Sequence, residues 1–326
     1  AASDVYKRQI GTKTTGRKSP AIDSALHPHL IARFREDIAA LWPEGEKLAL
    51  AVSGGPDSLA LLLLAHGARP GMIEAATVDH GLRSEAADEA EMVAHICAEL
   101  GVPHQILRVD VAAGNMQSMA REARYGALTK WMKQREIGIL ATAHHADDQA
   151  ETLLMRLNRA SGLSGLVGVR KRGKVPASPG KQAPPLIRPL LGWRKAELIA
   201  LVTDAGLAPA QDPSNSDDAF DRARIRKALA QADWVDSEAI AQSAAHLADA
   251  DEALEWAANR EWDECVHLGS DQISYTPAAP RAVRLKVLAR AIGQLGSEPR
   301  GGGVAKLLDA LEAGQGGNIG GVMVAI

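Results

Sequence analysis

The sequence predicts an α/β protein, a doubly wound and mostly parallel sheet followed by a smaller helical domain. Three observations predict it. Short apolar runs alternate with longer amphipathic stretches from Leu48 to Asn158, the pattern of strands joined by crossover helices. The first run passes through a glycine pair directly into a helix. Polar clusters recur where the runs end, which is where open parallel sheets bind ligands.

The elements follow in order. A helical pattern (Ile31, Phe34, Ile38, Leu41) runs from Asp23 to Trp42-Pro43, where the proline favours a break. Leu48 to Val52 reads as a buried strand and Pro56 to Ala65 as the helix opening after its loop. Ile73 to Val78 is a second strand. Ser84 to Leu100 is a helix with Ser84 as N-cap and Gly101 as its stop. Gln105 to Val109 is a third strand, Gln117 to Gln134 a long helix, Ile137 to Ala143 a fourth strand and Asp147 to Asn158 its helix. From Gly162 to Gly192 the alternation breaks in a stretch rich in Gly, Pro and basic residues. Arg194 to Ala205 and Asp221 to Gln231 read as helices around a turn at Asp212-Pro213-Ser214-Asn215. Ser237 to Gly293 is mostly helical and Ala-rich, interrupted near Gly269 to Pro280.

With 326 residues the chain can bury a full core. Leu59 to Ala65 is far too short to span a bilayer, and no signal-peptide pattern opens the chain. Cys97 and Cys265 form no C-x-x-C pair, which argues against a disulfide framework, a zinc ribbon or a sulfur-carrying site and fits a reducing cytoplasm. The net charge of −3 means that a nucleic-acid partner would need a local basic patch. Residues 1–22 read as a leader or artefact outside the fold, and Ile319 to Ile326 as the start of a strand cut short.

Ser53-Gly54-Gly55-Pro56-Asp57-Ser58 is a phosphate-binding arrangement. The glycines let backbone N–H groups approach an anion, and the helix N-terminus adds partial positive charge. Ser53 and Ser58 can donate to phosphate oxygens. Asp57 would repel bare phosphate, so its expected task is to bind Mg²⁺ beside pyrophosphate. The loop lacks the Gly-Lys-Ser/Thr end of a Walker A and the third glycine of a dinucleotide fingerprint. Asp79-His80-Gly81 and His144-His145 with Asp147-Asp148 follow later strands. Adjacent carboxylates suit a hard cation or a cationic substrate better than zinc, since neither H-E-x-x-H nor H-x-x-E-H order occurs. Asp148 and Glu151 lie three apart on one helix face, placed to hold an ammonium and accept its proton.

Ser53 to Ser58 resembles the PP-loop of the N-type ATP pyrophosphatases. Val78-Asp79-His80-Gly81-Leu82-Arg83, Arg121-x-x-Arg124-Tyr125, Thr142 to Leu157, Arg188-Pro189-Leu190-Leu191 and Asp212-Pro213-Ser214-Asn215 resemble, in order, the signatures of the tRNA(Ile)-lysidine synthetases. The resemblance covers roughly Lys47 to Lys227. It implies a Rossmann-like PP-loop ATPase domain at 23–230, a helical tRNA-recognition domain at 231–312 and the start of a further segment at 313–326. It implies a ligase that uses ATP to adenylate the wobble cytidine of isoleucine tRNA with a CAU anticodon, after which L-lysine displaces AMP. Asp57, His145, Asp148 and Glu151 would be catalytic. Ser53 to Ser58, Asp79 and His80 would hold ATP, with Asp57 on Mg²⁺. Arg83, Arg124, Asp148, Glu151, Arg156 and Arg188 would meet tRNA or lysine. A homodimer stays open. The alternatives on this fold are a tRNA thiolase, which needs cysteines that the chain does not place well, and an amidating ATP pyrophosphatase; a non-catalytic nucleotide-binding module is less favoured.

The chain departs from the family at Ala160, where glycine is usual, and at Val167-Gly168-Val169. Alanine costs little if φ is negative there, so the expectation is reduced local flexibility rather than lost chemistry. Between Arg156 and Lys195 lie Arg156, Arg159, Arg170, Lys171, Arg172, Lys174, Lys181, Arg188, Arg194 and Lys195, with no Asp or Glu among them. Such a run is an electrostatic footprint for a phosphate backbone. Arg222, Arg224, Arg226 and Lys227 form a second, helical patch.

Overall fold

The computed structural model describes residues 20–81, 85–109, 116–176, 183–210, 221–296 and 301–326. The chain begins with α1 (Pro20–Ala25) and α2 (Pro28–Ala39), then β1 (Leu48–Ala51), α3 (Pro56–Ala68), β2 (Ile73–Asp79), α4 (Glu85–Leu100), β3 (His104–Arg108) and α5 (Met116–Gln134). It continues through β4 (Ile139–Ala141), α6 (Ala146–Leu157), α7 (Leu163–Leu166), β5 (Arg172–Lys174), β6 (Pro185–Ile187), α8 (Lys195–Asp204) and α9 (Asp221–Gln231). The remaining elements are α10 (Ser237–Cys265), β7 (Val266–Leu268), β8 (Ile273–Tyr275), α11 (Arg281–Gln294), α12 (Gly301–Glu312), β9 (Gly317–Ile319) and β10 (Val322–Val324).

Two compact units emerge. One holds the chain to Asp148 together with Lys171–Ala223, and the other holds Gln149–Arg170 with Arg224–Ile326. The first unit contains a six-stranded sheet in the order β3-β2-β1-β4-β6-β5. All pairings are parallel except β5 on β6. Chain direction across the sheet reverses between β1 and β4, so the loops after those two strands flank a topological switch point.

Alternation along β1 explains the two covered faces. Leu48 and Leu50 join the core under α1–α4 and α8, with Phe34, Leu61, Val93 and Leu198. Ala49, between them, points to the opposite face and packs with Tyr125, Leu128, Trp131 and Met132 of α5. Helix α3 is apolar all round and wholly buried from Leu59 to Ala65, as expected of a helix enclosed by neighbours.

Three expectations change. The helix drawn from Asp23 to Trp42 is two helices, because Pro28 opens a new one and His27 before it takes an extended ψ of 139°. The stretch from Gly162 to Gly192 is not wholly irregular, since β5 and β6 extend the sheet. The apolar end of the chain forms a hairpin, β9–β10, turned by Gly320 and Gly321 at φ 58° and 87°, the left-handed pair that a tight hairpin needs. The Ser84 cap, Arg83 and the Asp212–Asn215 turn lie outside the described residues.

The second unit is built on α10. Trp262 packs with Val283 and Val287 of α11, while Leu288 and Ile292 pack with Leu307 and Val322. Buried Glu261 accepts hydrogen bonds from the Tyr275 hydroxyl at 2.9 Å and from the N–H groups of Ala278 and Ala279 at 2.8 and 3.0 Å. These tie the β7–β8 hairpin to the helix. No helix among the described residues is long and apolar enough to cross a membrane.

Candidate active site at the carboxyl ends of the strands

The loop between β1 and α3 is shaped by its own polar atoms. Ser58 Oγ accepts from the Ser53 N–H at 3.1 Å and donates to the Gly55 carbonyl at 3.0 Å. Gly54 sits at φ 86°, where a side chain is strained, and a Cβ there would also come within 3.1 Å of Met92 Cε. Its carbonyl accepts from Ala210 N at 2.9 Å. Gly55 is the helix N-cap, Pro56 occupies the first turn where no N–H is needed, and Asp57 follows.

The β4 end brings a second group to the same place. Ala146 N donates to the Trp193 carbonyl at 2.9 Å, and Asp147 caps α8 by accepting from Lys195 N at 2.8 Å. Asp148 accepts from His145 N at 3.1 Å and forms a 2.7 Å ion pair with Arg222 of α9.

A cavity of about 260 Å³ opens between these loops, entirely within the first unit. Ser53, Gly55, Asp57 and Ser58 line one part, and Thr142, His144, Asp148 and Arg222 another. Arg121, Arg124, Tyr125 and Leu128 contribute one face of α5, at spacings that repeat every three to four residues.

The adjacent histidines differ in place and in charge. His145 is buried away from the cavity lining, with Asp57, Asp147 and Asp148 oxygens at 3.5, 3.6 and 3.5 Å. Burial opposes its protonation, but Asp147, Asp57 and Asp148 outweigh it and lift the pKa to about 9. A neutral ring could accept from Asp148 N at 3.4 Å; that contact is long, and three carboxylates favour the imidazolium. His144 lines the cavity and shares a 3.0 Å hydrogen bond with Thr142 Oγ1. Burial lowers its pKa to about 4, assisted by Arg188, Arg222 and Arg121 against the pull of Asp148. At neutral pH a fixed cation therefore stands beside a neutral imidazole. Asp147 is held down to about 2, its burial overcome by His145 and the Lys195 N–H.

Asp57 Oδ1 is buried without a hydrogen-bond partner. It is an acceptor left over for a cation. No group of three or more ligating side chains exists among the described residues, so a metal beside Asp57 would take its other ligands from phosphate and water.

The other expected site residues are distributed as follows. Asp79 accepts from Gly81 N at 2.9 Å and shapes the loop after β2. Burial and nearby Arg124 lower the His80 pKa against the pull of Asp79. Neither residue lines the cavity. Arg188 is half-buried outside that lining, and its N–H donates to the Lys171 carbonyl at 2.9 Å. In the second unit, Glu151 is buried and holds Arg226 in two hydrogen bonds of 2.6 and 3.1 Å. Arg156 donates to the carbonyls of Gly165 and, at 3.0 Å, Gly168. The sequence placed His144 in a polar cluster at a strand end without giving it a role, and it assigned no site role to Arg121, Tyr125, Thr142 or Arg222. The three-residue spacing of Arg121 and Arg124 was the signal available for one of them.

Ala160 corrects an expectation. Its φ is +51°, so the alanine occupies the left-handed region in which glycine is favoured, at a cost of roughly 1–2 kcal/mol.

The comparisons with known proteins agree with this geometry. Residues 27–233 match the family described as a PP-loop domain. The tRNA(Ile)-lysidine synthase of Novosphingobium aromaticivorans is 48% identical over 287 residues, covering 87% of this chain and 86% of that protein. The tRNA(Ile)-lysidine synthase of Zymomonas mobilis is 39% identical over 300 residues, covering 90% of each. Among solved structures, the U34-tRNA thiolase NcsA of Methanococcus maripaludis with its [4Fe-4S] cluster superposes with a TM-score of 0.55 at 17% identity, over 67% of this chain and 78% of that one. That likeness shows the shared fold. The phosphate loop at the switch point, the cavity beside it and identities that run through both units place the chain in the tRNA(Ile)-lysidine synthase family of PP-loop proteins.

Proposed function

We propose that this chain attaches L-lysine through its ε-amine to C2 of the wobble cytidine of an isoleucine tRNA with a CAU anticodon, converting ATP to AMP and pyrophosphate. The observation that most supports this reading is one cavity lined both by the phosphate loop and by Asp148 with Arg222. Such a site can hold a triphosphate beside a cationic substrate.

Adenylation forms a bond between the cytidine O2 and the α-phosphorus while pyrophosphate leaves. Backbone N–H groups of Gly54, Gly55, Asp57 and Ser58, at the start of α3, bind the phosphates. Arg121 and Arg124 add positive charge where negative charge accumulates. Asp57, with its unused oxygen, would hold Mg²⁺, whose charge would offset that of the departing pyrophosphate. His145 fixes Asp57 and Asp148 by lying as a cation between their carboxylates. In the second stage lysine Nε bonds to C2, the C2–O2 bond breaks and AMP carries O2 away. Asp148 binds the lysine ammonium, exchanging Arg222 for it. Asp148 and His144 both titrate below their ordinary ranges, so the proton lost from nitrogen passes on to water. Glu151 acts by holding Arg226.

Thiolation on the same fold lacks support. Burial pushes the Cys97 thiol up to about 12, far from a reactive thiolate, and Cys265 belongs to the other unit. A cytoplasmic location follows from the RNA substrate. The test is incubation with ATP, labelled lysine and an isoleucine tRNA transcript bearing CAU. Label in the tRNA that depends on ATP is the expected result, and an intact, folded chain that transfers none would refute the proposal.

A further inference from the structure

The signature from Thr142 to Leu157 includes Gln149 and Arg156, and the chemistry above uses neither. Both instead build the segment that follows. Gln149 is buried, and its amide makes two hydrogen bonds to one residue: Nε2 donates to the Val169 carbonyl at 2.8 Å, and Oε1 accepts from Val169 N at 2.6 Å. Gly168 leaves room for this clamp. It lies at φ 72°, and a Cβ there would fall 2.4 Å from Gln149 Oε1. Arg156 holds the carbonyls of Gly165 and Gly168. Buried Asp251 of α10 completes the frame, accepting from Ser164 Oγ at 2.6 Å and Lys286 Nζ at 2.9 Å and pairing with Arg170.

A short segment with three glycines is thus fixed by side chains at Gln149, Arg156 and Asp251, all in the second unit. At its head, Leu157, Asn158, Arg159 and Ala160 are all exposed. Leu157 is 51% exposed, although apolar. No acidic residue occurs from Thr152 to Ala196. Helix α10, by contrast, exposes Asp249, Glu252 and Asp263.

We infer that the exposed corner Leu157–Ala160, at the head of the segment framed by Gln149, Arg156 and Asp251, is a contact surface for single-stranded RNA. The inference rests on the proposal that tRNA is the substrate. Arg159 supplies charge to a phosphate, the Asn158 amide offers both a donor and an acceptor to a base edge, and Leu157 gives an apolar surface for a ribose or base. One exposed leucine amid polar neighbours is too small a patch for a protein partner. A frame already ordered before binding removes the ordering cost that a flexible glycine-rich loop would incur.

The test uses the full chain and a fluorescein-labelled isoleucine tRNA transcript, titrated over a series of salt concentrations. Arg159→Glu should weaken binding about tenfold or more and lower the slope of log affinity against log salt by about 1. Arg159→Lys should stay within about threefold, and ATP affinity should not change in either. Gln149→Met, which keeps the volume and removes both bonds to Val169, should weaken RNA binding without changing the salt slope. An Arg159→Glu protein with wild-type RNA affinity and slope would overturn the surface, and a Gln149→Met protein that binds RNA normally would overturn the frame. Lysine transfer by the wild-type chain, measured in parallel, separates the two claims. Transfer with no Arg159 effect refutes only the corner, whereas RNA binding that weakens in Arg159→Glu without any transfer refutes only the proposed reaction.

Discussion

Replacing His145 by asparagine removes the cation on which Asp57, Asp147 and Asp148 converge. The wild-type ring titrates near 9 instead of 6.5. At ~1.4 kcal/mol per unit, protonated His145 contributes on the order of 3 kcal/mol to folding. Because the folded pKa is the raised one, this contribution is complete below pH 6.5, declines as pH rises toward 9 and is absent above it. Asparagine carries no proton to lose. The stability gap between wild type and His145→Asn should therefore be large at the acid end of this window and shrink through it. Urea unfolding followed by circular dichroism across the window, in EDTA so that no added cation replaces the ring, measures the gap. A gap that is constant with pH would refute the assignment of His145 as a buried imidazolium, whatever its size.

Three further outcomes follow from named contacts. Ala160→Gly relieves the left-handed strain of roughly 1–2 kcal/mol against an unfolded-state entropy cost of about 0.4–1 kcal/mol. Its thermal midpoint should equal or exceed the wild-type value by a few degrees, and a clear fall would contradict the strain. Gly168→Ala should destabilise by about 2 kcal/mol or more, since the new Cβ displaces the Gln149 amide and forfeits two hydrogen bonds of about 1 kcal/mol each; an unchanged unfolding midpoint would count against the clamp. Asp148→Asn should raise the lysine KM at least about tenfold, the effect of weakening one charge-assisted contact, while ATP binding measured by calorimetry stays near normal. Equal losses for both substrates would mean that Asp148 shapes the whole cavity instead.

The phosphate loop was legible because its chemistry is local. A strand, a glycine pair and a helix start between Leu48 and Pro56 leave few conformations, and Gly54 takes the positive φ that such a turn requires. Strands β1 to β4 were legible from their short apolar runs between helical stretches. Strands β5 and β6 were not, because each is three residues long and Pro185 opens the second. Their strand character comes from the sheet edge they join. Which histidine faces the cavity was also hidden, since adjacent residues at the end of a strand have no periodicity to separate them. Arg222 and Arg226 stood out as basic, but their carboxylate partners lie 74 and 75 residues earlier, a separation that local patterning cannot bridge. Ala160 shows the converse: the position was flagged from a pattern, but only the backbone angle reveals strain there.

The central claim, that a tRNA base oxygen is adenylated and then replaced by lysine, has a direct isotopic test. An isoleucine tRNA carrying ¹⁸O at the O2 of its wobble cytidine is incubated with the chain, ATP, lysine and Mg²⁺, and the released nucleotide is analysed by mass spectrometry. Label recovered in AMP, in proportion to lysine incorporated, is the predicted result. Unlabelled AMP, with ¹⁸O retained in the tRNA or lost to water, would contradict the account.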